Sequence, residues 1–153
     1  MYKTIIKQSN KRGSARLAAV QAAYQMEIAE LGALEVIKEY EACYLSKEID
    51  GHQYREADTQ WFRRIVLGVV EQQIIIDPIL HKYLPEDWSL ARIDSLLRAV
   101  LRAAVWELKN CKEIDSLIIL NEYMDITKAF YDNKELKLVN AILNNISHAI
   151  RAS

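Results

Sequence analysis

Apolar residues recur along this chain at intervals of three and four, the period that lays one face of an α-helix against a core. The first run is residues 14–31, SARLAAVQAAYQMEIAEL, where Leu17, Val20, Tyr24, Ile28 and Leu31 share one stripe of the helical wheel. Ser14 suits its N-cap, because a hydroxyl there accepts a backbone N–H of the first turn, and Gly32 stands where helices commonly stop. A second helix follows with Leu34, Ile37, Tyr40 and Tyr44 in step. Residues 47–57 break the pattern and read as a loop turning at Asp50 and Gly51. Asp58 then caps a third helix whose wide apolar face carries Phe62, Ile65, Val66, Val69, Val70 and Ile74. Gly68 within that face costs up to about 1 kcal/mol against Ala, which predicts close approach by another helix.

Asp77 followed by Pro78 predicts a helix restart, with Asp as cap and Pro at the first helical position, where its missing N–H does no harm. Leu84 and Pro85 end that short helix, and Trp88 lies in an irregular connection. From Asp94 a further helix turns Leu97, Val100, Leu101, Ala104, Val105 and Leu108 inward, with Arg98 and Arg102 on its flank. Another helix starts at Ser116, residues 131–135 form a short polar loop, and a last helix runs nearly to the end. The pattern predicts an all-α protein of about seven helices with no convincing strand. Four glycines and two prolines in 153 residues are too few to punctuate many short strands. A flexible basic arm over 1–13 precedes one helical domain over 14–153, with subdomains of about 14–84 and 85–153.

Charge changes the picture at one end only. The chain carries a net charge of -1, yet Lys3, Lys7, Lys11, Arg12 and Arg16 all precede the first acid, Glu27. A positive arm running into the positive end of a helix dipole gains nothing for folding; it suits a polyanion. The bland reading is a solvated tail. Five basic residues without an acid, in a net-acidic chain, favour a local RNA-contacting patch instead. Lys11, Arg12 and Arg16 are its phosphate-contacting candidates. Tyr24 lies on the apolar stripe, where a tyrosine is more often core than stacking platform, although a packed ring can still present its edge to a base. Lys134 and Lys137 join the patch only if their loop folds back beside the first helix. Arg98, Arg102, Glu107, Asn121, Glu122 and Asn140 read as structural, since half-buried charges and amides must pair.

Enzymatic chemistry has little to stand on. His52, His81 and His148 lie on separate segments without ligand spacing, and neither a phosphate-binding glycine loop nor a GxSxG elbow occurs. The expectation is a non-enzyme without metal or cofactor. Cys43 and Cys111 lack metal or redox spacing and are expected as buried thiols in a reducing cytoplasm. No apolar run reaches the roughly 18 residues of a membrane span, and residues 1–13 lack the apolar centre of a signal peptide, so a cytoplasmic location is expected.

An ordered set of short motifs spans nearly the whole chain: Arg16-x-x-Ala19-Val20-Gln21-Ala22-x-Tyr24, Phe62 to Gly68, Trp88-x-x-x-Arg92, and Arg98-x-x-Leu101-Arg102-x-Ala104-x-Trp106-Glu107-Leu108. Asn121-Glu122, Phe130 and Lys137-x-Val139-Asn140-x-x-Leu143 complete it. In this order the set resembles the NusB family of bacterial transcription antitermination factors. The resemblance implies two packed three-helix bundles that bind the boxA element of nascent RNA, especially ribosomal RNA leaders. It implies partnership with the ribosomal protein NusE in an antitermination complex on RNA polymerase, with the arm and first helix on the RNA. Arg16 and Tyr24 fall on matching positions and Arg12 lies in the arm. A homodimer that hides the basic face stays open. So do a helical protein–protein scaffold and the stand-alone form of a module elsewhere fused to ribosomal RNA methyltransferases. The chain departs from the family in Lys11-Arg12-Gly13-Ser14, where relatives have a tighter arginine cluster, and in Leu97 and Tyr131, where acid and Gly are usual.

Overall fold

The computed structural model describes residues 11–43, the strand residues 48–49 and 52–53, and 58–151. Among these residues six helices run in the order α1 (Lys11–Ala29), α2 (Ala33–Cys43), α3 (Thr59–Tyr83), α4 (Ser95–Asn110), α5 (Ser116–Phe130) and α6 (Asn133–Arg151). Between α2 and α3 a minimal antiparallel ladder pairs β1 (Glu48–Ile49) with β2 (His52–Gln53), Ile49 opposite His52. Asp50, Gly51 and Tyr44 lie outside the described residues.

Pro78 does not restart a helix as expected; α3 runs straight through it. A proline inside a helix removes one N–H, whose acceptor would be the carbonyl four residues back. That carbonyl belongs to Ile74, which is 87% exposed, so water can take over the lost bond. Ile74 and Val70, expected inside, are both on the surface, as is Leu34 of α2.

Two boundaries also move. The first helix begins at Lys11, so Ser14 sits inside it and is not its cap. At the other end Glu30 adopts the left-handed conformation, φ 54°, and the Leu31 N–H reaches back to the Met26 carbonyl at 3.2 Å, a Schellman-type wrap. Gly32 caps the start of α2 instead. Its carbonyl accepts the Val36 N–H at 3.1 Å and its own N–H donates to Glu35 Oε1 at 3.3 Å. Asp58 caps α3 as expected, accepting the Trp61 N–H at 2.9 Å.

The chain divides into two compact units, Met1–Leu67 and Gly68–Ser153, the division falling within α3. In the first, α1 packs on α2, and the stacked rings of Tyr40 and Phe62 lie 5.6 Å apart. In the second, α4, α5 and α6 pack pairwise around Leu101, Leu108, Ile119, Tyr123, Ile142, Leu143 and Ile146. Gly68 has the close neighbour its sequence position predicted: a methyl there would fall 2.2 Å from the Trp106 ring.

Of the polar residues read as structural, Arg98, Arg102 and Glu107 pair within the second unit, whereas Asn121 and Asn140 are exposed. Arg98 Nη1 donates to the carbonyls of Leu90 at 2.8 Å and Ile93 at 3.0 Å. Arg102 grips Asp77 through two bonds of 2.8 and 2.9 Å. The fully buried Glu107 accepts the Tyr123 hydroxyl at 2.5 Å. Arg151, in the last turn of α6, donates to the carbonyls of Leu108 and Cys111 at 2.9 and 2.8 Å and so covers the C-terminal end of α4. None of the described helices is long and apolar enough to cross a membrane.

Candidate nucleic-acid interface

The first helix is seated by alanine. Ala15, Ala18, Ala19 and Ala22, at spacings of three and four, are buried together with Val20. The large apolar residues expected to face the core lie on the opposite side: Leu17 is 36% exposed, Tyr24 38% and Ile28 59%. Small side chains allow a helix to approach its neighbours closely, so alanine wins the inner face although each residue buries less area than leucine.

Seating α1 this way carries its arginines to Trp61, on the first turn of α3. The Arg12 Cζ lies 4.1 Å from the centre of the indole, Arg64 Cζ 4.9 Å and Arg16 Cζ 5.9 Å, all within cation–π range. Trp61 is 4% exposed, and its Nε1–H is buried with no acceptor among the described residues. Arg12 is about half exposed and stands 3.7 Å from the Asp58 carboxylate, which already caps α3 with its other oxygen. Arg63 turns elsewhere, gripping Glu41 through contacts of 2.7 to 3.2 Å. Arg64 is exposed.

The proposed contacts thus separate into groups. Arg12 and Arg16 come together at Trp61, with Lys11 exposed beside them at the head of α1. Arg16, expected among the phosphate-contacting candidates, is 3% exposed and lies as a buried charge under the cluster. Tyr24 is exposed on α1 about 18 Å along the axis from Arg12. Lys134 and Lys137 belong to the second unit and lie on the first two turns of α6, not in a loop. Both are exposed; the Lys134 Nζ stands 5.4 Å from the Trp88 ring beside a shallow depression that also holds Glu86, Asp87 and Arg92.

Neither Trp61 nor Arg64 stands out for this site in the sequence pattern. The available signal was their spacing: residues three apart on a helix share a face, and Arg64 follows Trp61 by three. Guanidinium forks on an aromatic ring suit bidentate contact with phosphate oxygens. No cluster of three or more metal-ligating side chains occurs among the described residues.

Residues 13–148 match the model of the NusB family. The transcription antitermination protein NusB of Brucella anthropi is 57% identical over 143 residues, covering 94% of this chain and 85% of that protein. The Brucella ovis protein of the same name is 58% identical over 143 residues, with 94% and 84% covered. Among solved structures, Thermotoga maritima NusB superposes with a TM-score of 0.73 at 28% identity, covering 89% of each chain. A chain from the complex of antitermination factors NusB and NusE with double-stranded RNA gives 0.76 at 26% identity, covering 92% of this chain and 98% of the other.

Proposed function

The chain belongs to the NusB family, and from that premise we propose that it is a cytoplasmic, non-catalytic transcription antitermination factor. It binds boxA-type single-stranded RNA of ribosomal RNA leaders jointly with NusE, within an antitermination complex on RNA polymerase. The observation that carries the RNA part is the gathering of Arg12 and Arg16 at Trp61, at the acid-free head of α1 in a chain of net charge -1. The NusB–NusE–RNA complex among the structural neighbours supports the same pairing of ligands.

Roles follow from exposure. Lys11 and Arg12 reach phosphates, and Arg16 adds its field from beneath while holding the indole. Tyr24 offers a half-exposed ring to an unstacked base. Lys134 and Lys137 contribute further positive charge from α6. Phosphate contacts give affinity that falls with salt, and base contacts together with the protein partner give selectivity.

A gel shift with boxA RNA, with NusE and with both, against a scrambled RNA, tests this reading. The expected result is a ternary complex tighter than either pair and lost with the scrambled RNA. If RNA adds nothing to the complex with NusE, the chain is a protein–protein scaffold. Arg12→Ala is expected to lower the slope of log K against log salt by about 0.7, the loss of one single-strand phosphate contact, with an unchanged melting curve.

A further inference from the structure

The outer face of α6 is built from residues that serve neither the core nor the helix. Lys137, Asn140 and Asn144 follow one another at helical spacings of three and four, on the side away from the buried Leu138, Val139, Ile142, Leu143 and Ile146. Lys137 and Asn140 are exposed and Asn144 is half-buried. Asparagine is a poor residue for a helix interior, because its amide competes with the backbone for hydrogen bonds. From Leu136 to Arg151 the helix carries no acid, although the chain as a whole has a net charge of -1. The face therefore lacks the carboxylates with which exposed helices ordinarily pair their lysines.

The two asparagines are held in one orientation. The Asn144 Nδ2 donates to the backbone carbonyl of Asn140 at 2.8 Å and to the Asn140 Oδ1 at 2.9 Å. A backbone carbonyl only accepts, so the Asn144 atom facing it is the nitrogen. The Asn140 atom facing that nitrogen is then its oxygen. Two groups remain for a ligand: the Asn140 Nδ2, a donor, and the Asn144 Oδ1, an acceptor. Neither has another partner among the described residues. An unpaired nucleobase shows a donor beside an acceptor on its Watson–Crick edge, the complement of this pair. Lys137 lies about 5 Å along the axis from Asn140, one turn nearer the start of α6, where its ammonium can meet a phosphate.

We propose that Asn140 and Asn144 form a base-edge site on α6 for one unpaired nucleotide of the bound RNA, with Lys137 on the adjoining phosphate. The site rests on the RNA-binding reading above and gives α6 contact with a base, where that reading gives it charge alone. A duplex hides the edge that the amide pair meets, so the site distinguishes single-stranded from paired RNA. The asparagines act as a unit, because without Asn144 the Asn140 amide loses its fixed direction.

The test uses the full chain with NusE and a boxA-type RNA oligonucleotide, titrated at several salt concentrations. Asn140→Ala and Asn144→Ala are each expected to weaken binding about tenfold at an unchanged salt slope, since contact with a base releases no counterion. Lys137→Ala should instead lower the slope by about 0.7. Melting curves of the asparagine variants should match the wild type or lie above it, alanine being the better helix former. The same RNA is then made with an abasic residue at each position in turn. At one position the missing base should cost the wild type about tenfold and Asn140→Ala less than about twofold. Unchanged affinity in both asparagine variants overturns the site while leaving the RNA reading intact. A lowered slope in Asn140→Ala also overturns it, as do abasic losses equal in wild type and variant at every position. Absence of RNA binding by the wild-type complex overturns both.

Discussion

The first and last helices follow opposite rules. In α6 the apolar residues Leu138, Val139, Ile142, Leu143 and Ile146 are all buried, as an amphipathic wheel predicts. In α1 the wheel is inverted: Leu17, Tyr24 and Ile28 are outside, four alanines are inside, and one arginine is buried with them. The tryptophans differ in the same way. Trp106 in the second unit lies against the bare backbone of Gly68, while Trp61 in the first is surrounded by guanidinium groups. Burial of apolar area accounts for α6 and Trp106. It does not account for α1 and Trp61, where area is left in water and charge is brought in. Under the proposed function this departure belongs to the RNA-facing surface.

The largest expected effect sets the two helices directly against each other. Leu143→Ala should cost about 2–5 kcal/mol of unfolding free energy, since it empties a fully buried position. Ile28→Ala on α1 should change stability by about 0.5 kcal/mol or less. Urea unfolding of the two variants measures both, and equal costs would break the comparison. Next comes Gly68→Ala, whose methyl must displace the Trp106 ring and should cost about 1–3 kcal/mol, read from the same unfolding curves. A smaller effect of opposite sign belongs to Glu30→Gly. Relief of the left-handed conformation should stabilise the chain by about 0.5–1 kcal/mol, raising Tm by a few degrees in calorimetry.

Least visible at neutral pH is Tyr131. Burial first, and then its hydrogen bond to the Asp94 carboxylate, raise its pKa above the ordinary value near 10. A raised value in the folded state means that the stability it brings is complete below about pH 10 and is lost as pH climbs through the folded value. Tyr131→Phe should therefore flatten the alkaline fall in stability, measured as unfolding free energy between pH 9 and 12 (about the range in which tyrosine titrates).

Much of the fold was legible in the chain. The cap at Asp58, the inward residues of α4 and the tight contact at Gly68 all follow from local spacing. Pro78 misled because its local signal for a start is the same whether or not water can replace the missing bond at Ile74. Ser14 misled because a good cap residue is also tolerated inside a first turn. The inverted face of α1 was illegible for a different reason. A wheel ranks residues by hydrophobicity, and only tertiary packing decides when small side chains displace large ones from the inside. At the site, the chain showed where positive charge concentrates but not that Arg12, Arg16 and Arg64 meet on one indole, since that contact joins α1 to α3 across some fifty residues of sequence.

The alanine seam has a bearing on genetics. Each of Ala15, Ala18, Ala19 and Ala22 fixes how deeply α1 sits and therefore where its guanidinium groups lie over Trp61. A bulkier residue at any of them would lift the helix and scatter the positive cluster without touching a nucleotide. Selections for lost antitermination should accordingly return small, uncharged positions that an inventory of RNA contacts would never contain.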